Sequence, residues 1–180
     1  MNQTVRRIIG PTILLRSGNY FDFEAPWDSQ FTIDDIAHGL SLTCRFGGQC
    51  SRFYSVAQHS VHVSQLVPAA DAFAALMHDA PEAFIHDITK PLKGMLPEYK
   101  KIEDRVEAAI FTRFGVTLPL PASVKEADLV MLSSEQSQLM NNHDDWVDRR
   151  TPIKGVIPKM TPKQSKEFFL QRFRQLRNGR

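Results

Sequence analysis

An all-α fold is what this sequence predicts, and three observations carry the prediction. From Asp34 onward apolar residues recur at offsets of three and four, the spacing that lines one face of a helix. Glycine and proline fall mainly between those runs, where helices stop and start. Residues 1–31 are different: they are rich in Gly, Pro and aromatics, and TILLRSGNYFDFEAPWD suggests extended pieces and turns. The expectation is one compact helical domain over 1–180, with 1–31 as a less regular N-terminal segment.

The elements follow in order. In IDDIAHGLSLTCRF, Ile36, Ala37, Leu40, Ser41 and Cys44 share one stripe, and Gly47-Gly48 closes the helix after Arg45-Phe46. SVAQHSVHVSQLV (55–67) is a second helix, stopped by Pro68. DAFAALMHDA (71–80) is a third; Pro81 ends it and opens PEAFIHDI, since proline suits a first helical turn. TKPLKGMLPEY reads as a loop, and KKIEDRVEAAIFTRFG (100–115) as a charged amphipathic helix closed by Gly115. SVKEADLVMLSSEQSQLM (123–140) is another helix, with Ser123 as N-cap and Glu126 completing a capping box. A polar segment leads through Arg150 to the C-terminal helix at 161–177, capped by Thr161 with Pro162 behind it.

Bulk properties exclude several functions. The chain is 42% apolar and 23% charged, a globular composition at 180 residues, and can bury a core without staples. A net charge of +2 and the lack of a basic stripe argue against a nucleic-acid polymer as partner. Cys44 and Cys50 form no CxxC pattern and read as reduced thiols. No apolar run reaches the roughly 18 residues of a membrane span. MNQTVRRIIGPTILL has two arginines before a short apolar stretch, but Gly10, Pro11 and Arg16 interrupt it. The expected location is therefore cytoplasmic. The C-terminal helix, with Phe168, Phe169, Phe173 and Leu176 on one side, is expected to pack on the core or on another subunit.

Polar residues interrupt three apolar stripes. His59 lies among Val56, Val63 and Leu66; His78 and Asp79 sit at the edge of Phe73, Leu76, Met77 and Ala80; Asp128 lies among Val124, Ala127, Met131, Leu132 and Leu139. Each has a plain explanation: an inward histidine is often a hydrogen-bonded core residue, and Asp128 could cap a helix or pair with an arginine. Buried carboxylates need a cation or several donors, however, and three helices presenting such groups suggest one shared answer. Two imidazoles and two carboxylates suit a divalent transition metal.

An isolated His59, adjacent His78-Asp79 about 20 residues on and Asp128 roughly 50 further resemble the HD-domain metal-dependent phosphohydrolases. YSVAQHS followed by MHDAPEAFIHDITKPLK looks like the small nucleotidase branch, which includes bacterial 5′-deoxynucleotidases and phage dATP triphosphohydrolases. The likeness spans about Ser17 to Met140. It implies a divalent ion (Zn, Co, Mn or Fe) on His59, His78, Asp79 and Asp128, with Mg accompanying the substrate phosphates. Glu82, one turn after Asp79, becomes the general acid/base. Arg45 and Lys93 become phosphate contacts, with Arg52 a second arginine candidate, Asp87 near the sugar, Pro91 near the base and Phe46 against sugar or base. Phe46 stands where the family carries tryptophan. Lys90 could add a further cation, and the role of His86 stays open.

The implied reaction is hydrolysis of a deoxynucleotide, first as a dATP-preferring triphosphohydrolase releasing deoxyadenosine and triphosphate. The alternative is a 5′-deoxynucleotidase acting on dNMPs, and one of another class is a non-catalytic nucleotide-sensing HD module. Relatives of this type imply a homo-oligomer, dimer or hexamer.

Overall fold

Thr32 and Asp35 start the first helix. α1 (Ile33–Leu42) opens in a capping box: Thr32 Oγ1 accepts from the Asp35 amide at 3.3 Å, and the Asp35 carboxylate accepts from the Thr32 amide at 3.0 Å. The same carboxylate accepts from the Ser17 amide at 3.1 Å, which ties the N-terminal segment to the helix. Burial raises the Asp35 pKa, but the donors of Thr32 and Ser17 outweigh it and hold the carboxyl below its ordinary value. A depressed folded-state pKa contributes stability above the unfolded value of about 3.9, and that stability is lost as pH falls through the folded pKa. Asp35→Asn is therefore expected to cost about 1 kcal/mol at pH 7. The gap from wild type should shrink in thermal melts below about pH 4; a gap constant from pH 7 to 3 would contradict the assignment.

The computed structural model describes residues 10–142, 144 and 149–178. The first nine residues, which include both arginines of the opening stretch, and part of the polar segment before Arg150 lie outside the described residues. An antiparallel hairpin of β1 (Thr12–Leu14) and β2 (Tyr20–Asp22) pairs Ile13 with Phe21, in line with extended pieces inside 1–31. Phe21 is fully buried and stacks on Phe84 at 4.2 Å between ring centroids, with Phe31 edge-on to both.

The remainder is helical: α2 (Val56–Gln65), α3 (Ala72–Met77), α4 (Glu82–Ile85), α5 (Lys90–Lys93), α6 (Pro97–Phe114), α7 (Ala122–Leu139) and α8 (Pro162–Asn178). The fold is all-α with one small hairpin. α2 packs against α1, α3, α7 and α8, so nearly all its residues are buried, including the polar Gln58, His59, Ser60 and Ser64. α8 lays Phe169 and Phe173 on the core as the amphipathic pattern requires. Among the described residues no helix is long and apolar enough to cross a membrane.

Several boundaries differ from the sequence expectation. α1 ends at Leu42, because Thr43 and Cys44 turn extended and Cys44 bridges Ser55. Cys44 thus leaves the α1 stripe, and Arg45-Phe46 begin a separate 3-10 turn in which Phe46 and Gly47 take left-handed φ of 55° and 58°. Leu66 is the C-cap of α2 and is exposed, not part of its buried face. The expected loop at 89–99 holds α5 and the start of α6, because Pro91 and Pro97 sit in first turns. Ser123 is not a cap: Pro121 holds that place, the Ser123 hydroxyl donates to Asp71 Oδ2, and Glu126 pairs with Arg150. Cys44 and Cys50 are free thiols, and burial pushes that of Cys50 up to about 11.

Candidate functional site

His59 and His78 each give away one ring proton and keep one nitrogen unpartnered. His59 Nδ1 lies 2.5 Å from Glu135 Oε1, and His78 Nδ1 lies 2.8 Å from the Ala75 carbonyl. Carboxylate and carbonyl oxygens only accept, so both Nδ1 atoms donate and both Nε2 atoms face inward. Neither Nε2 finds a hydrogen-bond partner, although both are buried. Around them stand carboxylate oxygens: Asp79 Oδ2 at 3.2 Å from His78 Nε2 and 3.5 Å from His59 Nε2, and Asp128 Oδ1 at 3.4 Å from His59 Nε2.

His59, His78 and Asp128 offer donor atoms all within 4.8 Å of one another, a group that could hold a metal ion. Asp79, the fourth expected ligand, borders both imidazoles but falls outside that group of three. Two orphaned imidazole nitrogens and a carboxylate fit a divalent ion of the borderline class.

Rings and carboxylates also favour one another's charge, so a cation at Nε2 competes with a proton there. Burial and Arg45 push the His59 imidazole down, but Glu135 and Asp128 outweigh them and raise it to about 9. Burial raises the Asp79 and Asp128 carboxyls, and the imidazoles more than reverse that, holding both well below the ordinary range.

The group opens on a cleft of about 510 Å³ lined by Arg45, Phe46, Asp79, Glu82, Asp87, Ile88, Thr89, Lys90, Pro91, Lys93, Lys125, Asp128, Leu129 and Leu132. Of the residues expected to contact substrate, Arg45, Phe46, Asp87, Pro91 and Lys93 line this cleft. Arg52 does not: its guanidinium donates to the carbonyls of Ile157 at 2.6 Å and Pro158 at 3.2 Å, fastening the segment before α8.

Glu82 is 5% exposed, with Oε2 unpartnered and Oε1 3.8 Å from Lys93 Nζ. Burial, then Asp79 and Asp87, raise its pKa well above the usual carboxyl value. Lys93 is held in turn by Glu103 of α6 at 2.5 Å.

Local backbone places these groups. α4 meets α1 without side chains between them: a Cβ on Gly39 would lie 2.4 Å from the Ala83 carbonyl oxygen and 2.9 Å from its Cα. Gly39→Ala is expected to push α4 outward, costing about 1–3 kcal/mol, and to reduce whatever activity Glu82 supports. Melting temperature and turnover should fall together, whereas an unshifted melt would show that the contact yields freely. His86 ends α4 at φ 65°, ψ 161°, a region side chains seldom occupy. The chain turns there, Tyr99 Oη donates to the His86 carbonyl at 3.1 Å, and Asp87 comes within 3.5 Å of Arg45.

Three contributors escaped the sequence reading. Glu135 is fully buried and touches His59, Tyr54 and Arg45. It lies seven residues after Asp128 and four after Met131, so the same helical stripe pointed to it. Lys125 sits in KEADLV, a stretch that looks like a solvated face, yet it borders the cleft 2.9 Å from Asp128 Oδ2. Glu103, in the equally bland KKIEDRVE, positions Lys93.

Fold and site together define a small helical protein with a candidate divalent-metal group at the edge of a cleft. No family model matches the chain. It is 42% identical over 165 residues to the uncharacterized protein YfdR of Escherichia coli (strain K12), covering 89% of this chain and 92% of YfdR. It is also 36% identical over 147 residues to an uncharacterized protein of Rhodobacter capsulatus, covering 74% and 75% respectively. The chain belongs to the family of YfdR.

Proposed function

We propose that this chain is a metal-dependent phosphohydrolase of deoxynucleotides of the HD-domain type, and in particular a dATP-preferring triphosphohydrolase. The observation that carries the reading is the convergence of two unpartnered Nε2 atoms with the Asp128 carboxylate beside a cleft that also contains Glu82. A divalent ion bound there supplies an acidified water and a polarised phosphoryl oxygen; Zn, Co, Mn and Fe are all compatible with the donors.

The chain's own residues do the rest. His59, His78 and Asp128, with Asp79 against both rings, hold the ion. Glu82 keeps a proton to a higher pH than an ordinary carboxyl, because burial and two acidic neighbours disfavour its charge. A carboxyl so placed can give and take a proton at the attacking water. Arg45, Lys90, Lys93 and Lys125 bring cationic charge to the phosphate end. Phe46, Ile88, Pro91, Leu129 and Leu132 form an apolar wall on which sugar and base can rest. Lys93 pairs with Glu103 and Lys125 with Asp128, so a triphosphate would have to draw these cations from carboxylates they already hold.

The test is hydrolysis by the purified chain with Co²⁺ or Mn²⁺ of dATP, dGTP, ATP and dAMP. Triphosphate release from dATP, with little from ATP, is the expected result. Phosphate release from dAMP alone would move the assignment to a 5′-deoxynucleotidase. Nucleotide binding without any turnover would leave the sensing module.

A further inference from the structure

A carboxylate with no exposed surface needs a reason to be ionised. Glu135 has three donors: His59 Nδ1 at 2.5 Å and Tyr54 Oη at 2.8 Å on Oε1, and Arg45 Nη2 at 3.2 Å on Oε2. Burial raises its pKa, but His59, Arg45 and the Tyr54 bond outweigh that and keep it below the ordinary value. The donors come from different parts of the chain. His59 lies on α2, Arg45 on the 3-10 turn, and Tyr54 just before α2, where its carbonyl also accepts from the Arg45 amide at 3.0 Å. One carboxylate on α7 therefore gathers a ring facing the metal group and a guanidinium facing the cleft.

We propose that Glu135 is a positioning residue: it fixes the His59 tautomer and ring plane, holds Arg45 in constant relation to that ring, and so sets how tightly the cation binds. The proposal rests on the metal reading above. The physical reason lies in what Nδ1 must do. With Nδ1–H given to a carboxylate, Nε2 is the nitrogen left to coordinate, and the imidazole becomes a stronger donor. Rotating the ring would break the bond to Glu135 Oε1, an oxygen that Tyr54 Oη also fixes in place. A purely structural Glu135 would satisfy Arg45 and Tyr54 but leave cation affinity unchanged.

The experiment titrates Co²⁺ alone into the full chain, by calorimetry and by its visible absorption, for wild type, His59→Ala, Glu135→Gln and Glu135→Asp. Wild type is expected to bind, and His59→Ala to lose binding. Glu135→Gln should bind about 10- to 100-fold more weakly, with a shifted Co²⁺ band and unchanged helical circular dichroism. Glu135→Asp keeps the charge opposite Arg45 but withdraws the carboxylate from Nδ1. It should weaken binding as well, so the proposal stays testable if the Gln variant misfolds. Wild-type affinity and spectrum in a folded Glu135 variant would overturn the positioning role while leaving the metal centre standing. A wild-type chain that takes up no Co²⁺ would overturn the metal reading and this proposal with it.

Discussion

Glu82→Gln is expected to lower hydrolysis about 100- to 10,000-fold, the usual contribution of a positioned acid or base, while cation uptake and fold persist. Gln has nearly the shape of Glu, so the buried place between α4 and the cleft stays filled. What disappears is the ability to carry a proton at an atom that has no other partner, Oε2. Removing a charge crowded by Asp79 and Asp87 should not destabilise the chain, since burial and those two carboxylates already disfavour the ionised form. Melting temperature should thus hold or rise slightly. The measurements are turnover of dATP, Co²⁺ affinity and thermal melting on one preparation. Wild-type turnover with Glu82→Gln would remove the proposed mechanism, because no other carboxyl in the cleft combines an orphaned buried oxygen with so raised a pKa.

His78→Ala is expected to abolish tight cation binding. The imidazole supplies one of the three donors that lie within mutual reach among the described residues, and its orientation is set by the bond from Nδ1 to the Ala75 carbonyl within the same helical turn. His59 and Asp128, even with Asp79 beside them, keep a single imidazole, a poorer site for a borderline divalent ion. Linkage gives the readout: a ligand at a hundred times its Kd stabilises the folded state by about 2.7 kcal/mol, or roughly 5–10 °C in a chain of this size. Wild type should show that rise on adding Co²⁺, and His78→Ala should show almost none. An equal rise in both would mean that the cation binds elsewhere.

The candidate site was legible in the sequence wherever a polar residue broke an apolar stripe. His59, His78 and Asp128 stood out because their helical neighbours Val56, Met77 and Ala127 are buried. Glu82, Asp87, Lys93 and Pro91 followed from the resemblance carried by MHDAPEAFIHDITKPLK, and all four border the cleft. Arg52 shows the opposite failure. Nothing in its local sequence revealed that the carbonyls of Ile157 and Pro158, more than a hundred residues away, would take its guanidinium. Glu135 lay on the correct stripe but was passed over, since SSEQSQ reads as a polar helix surface. Only the packing of α2 on α7 makes that surface interior.

By itself the sequence determined the helical class, the approximate limits of the long helices and which polar side chains interrupt apolar stripes. Those properties arise from periodicity and from the cost of burying charge, and both are local. Tertiary structure decided the rest: that α1 stops at Leu42 so that Cys44 can bridge Ser55, that His86 turns at positive φ, that α4 lies against the bare backbone of Gly39, and that one carboxylate on α7 serves both His59 and Arg45. Each depends on which distant groups become neighbours, and that follows only when helices crowd together and every buried donor must find an acceptor.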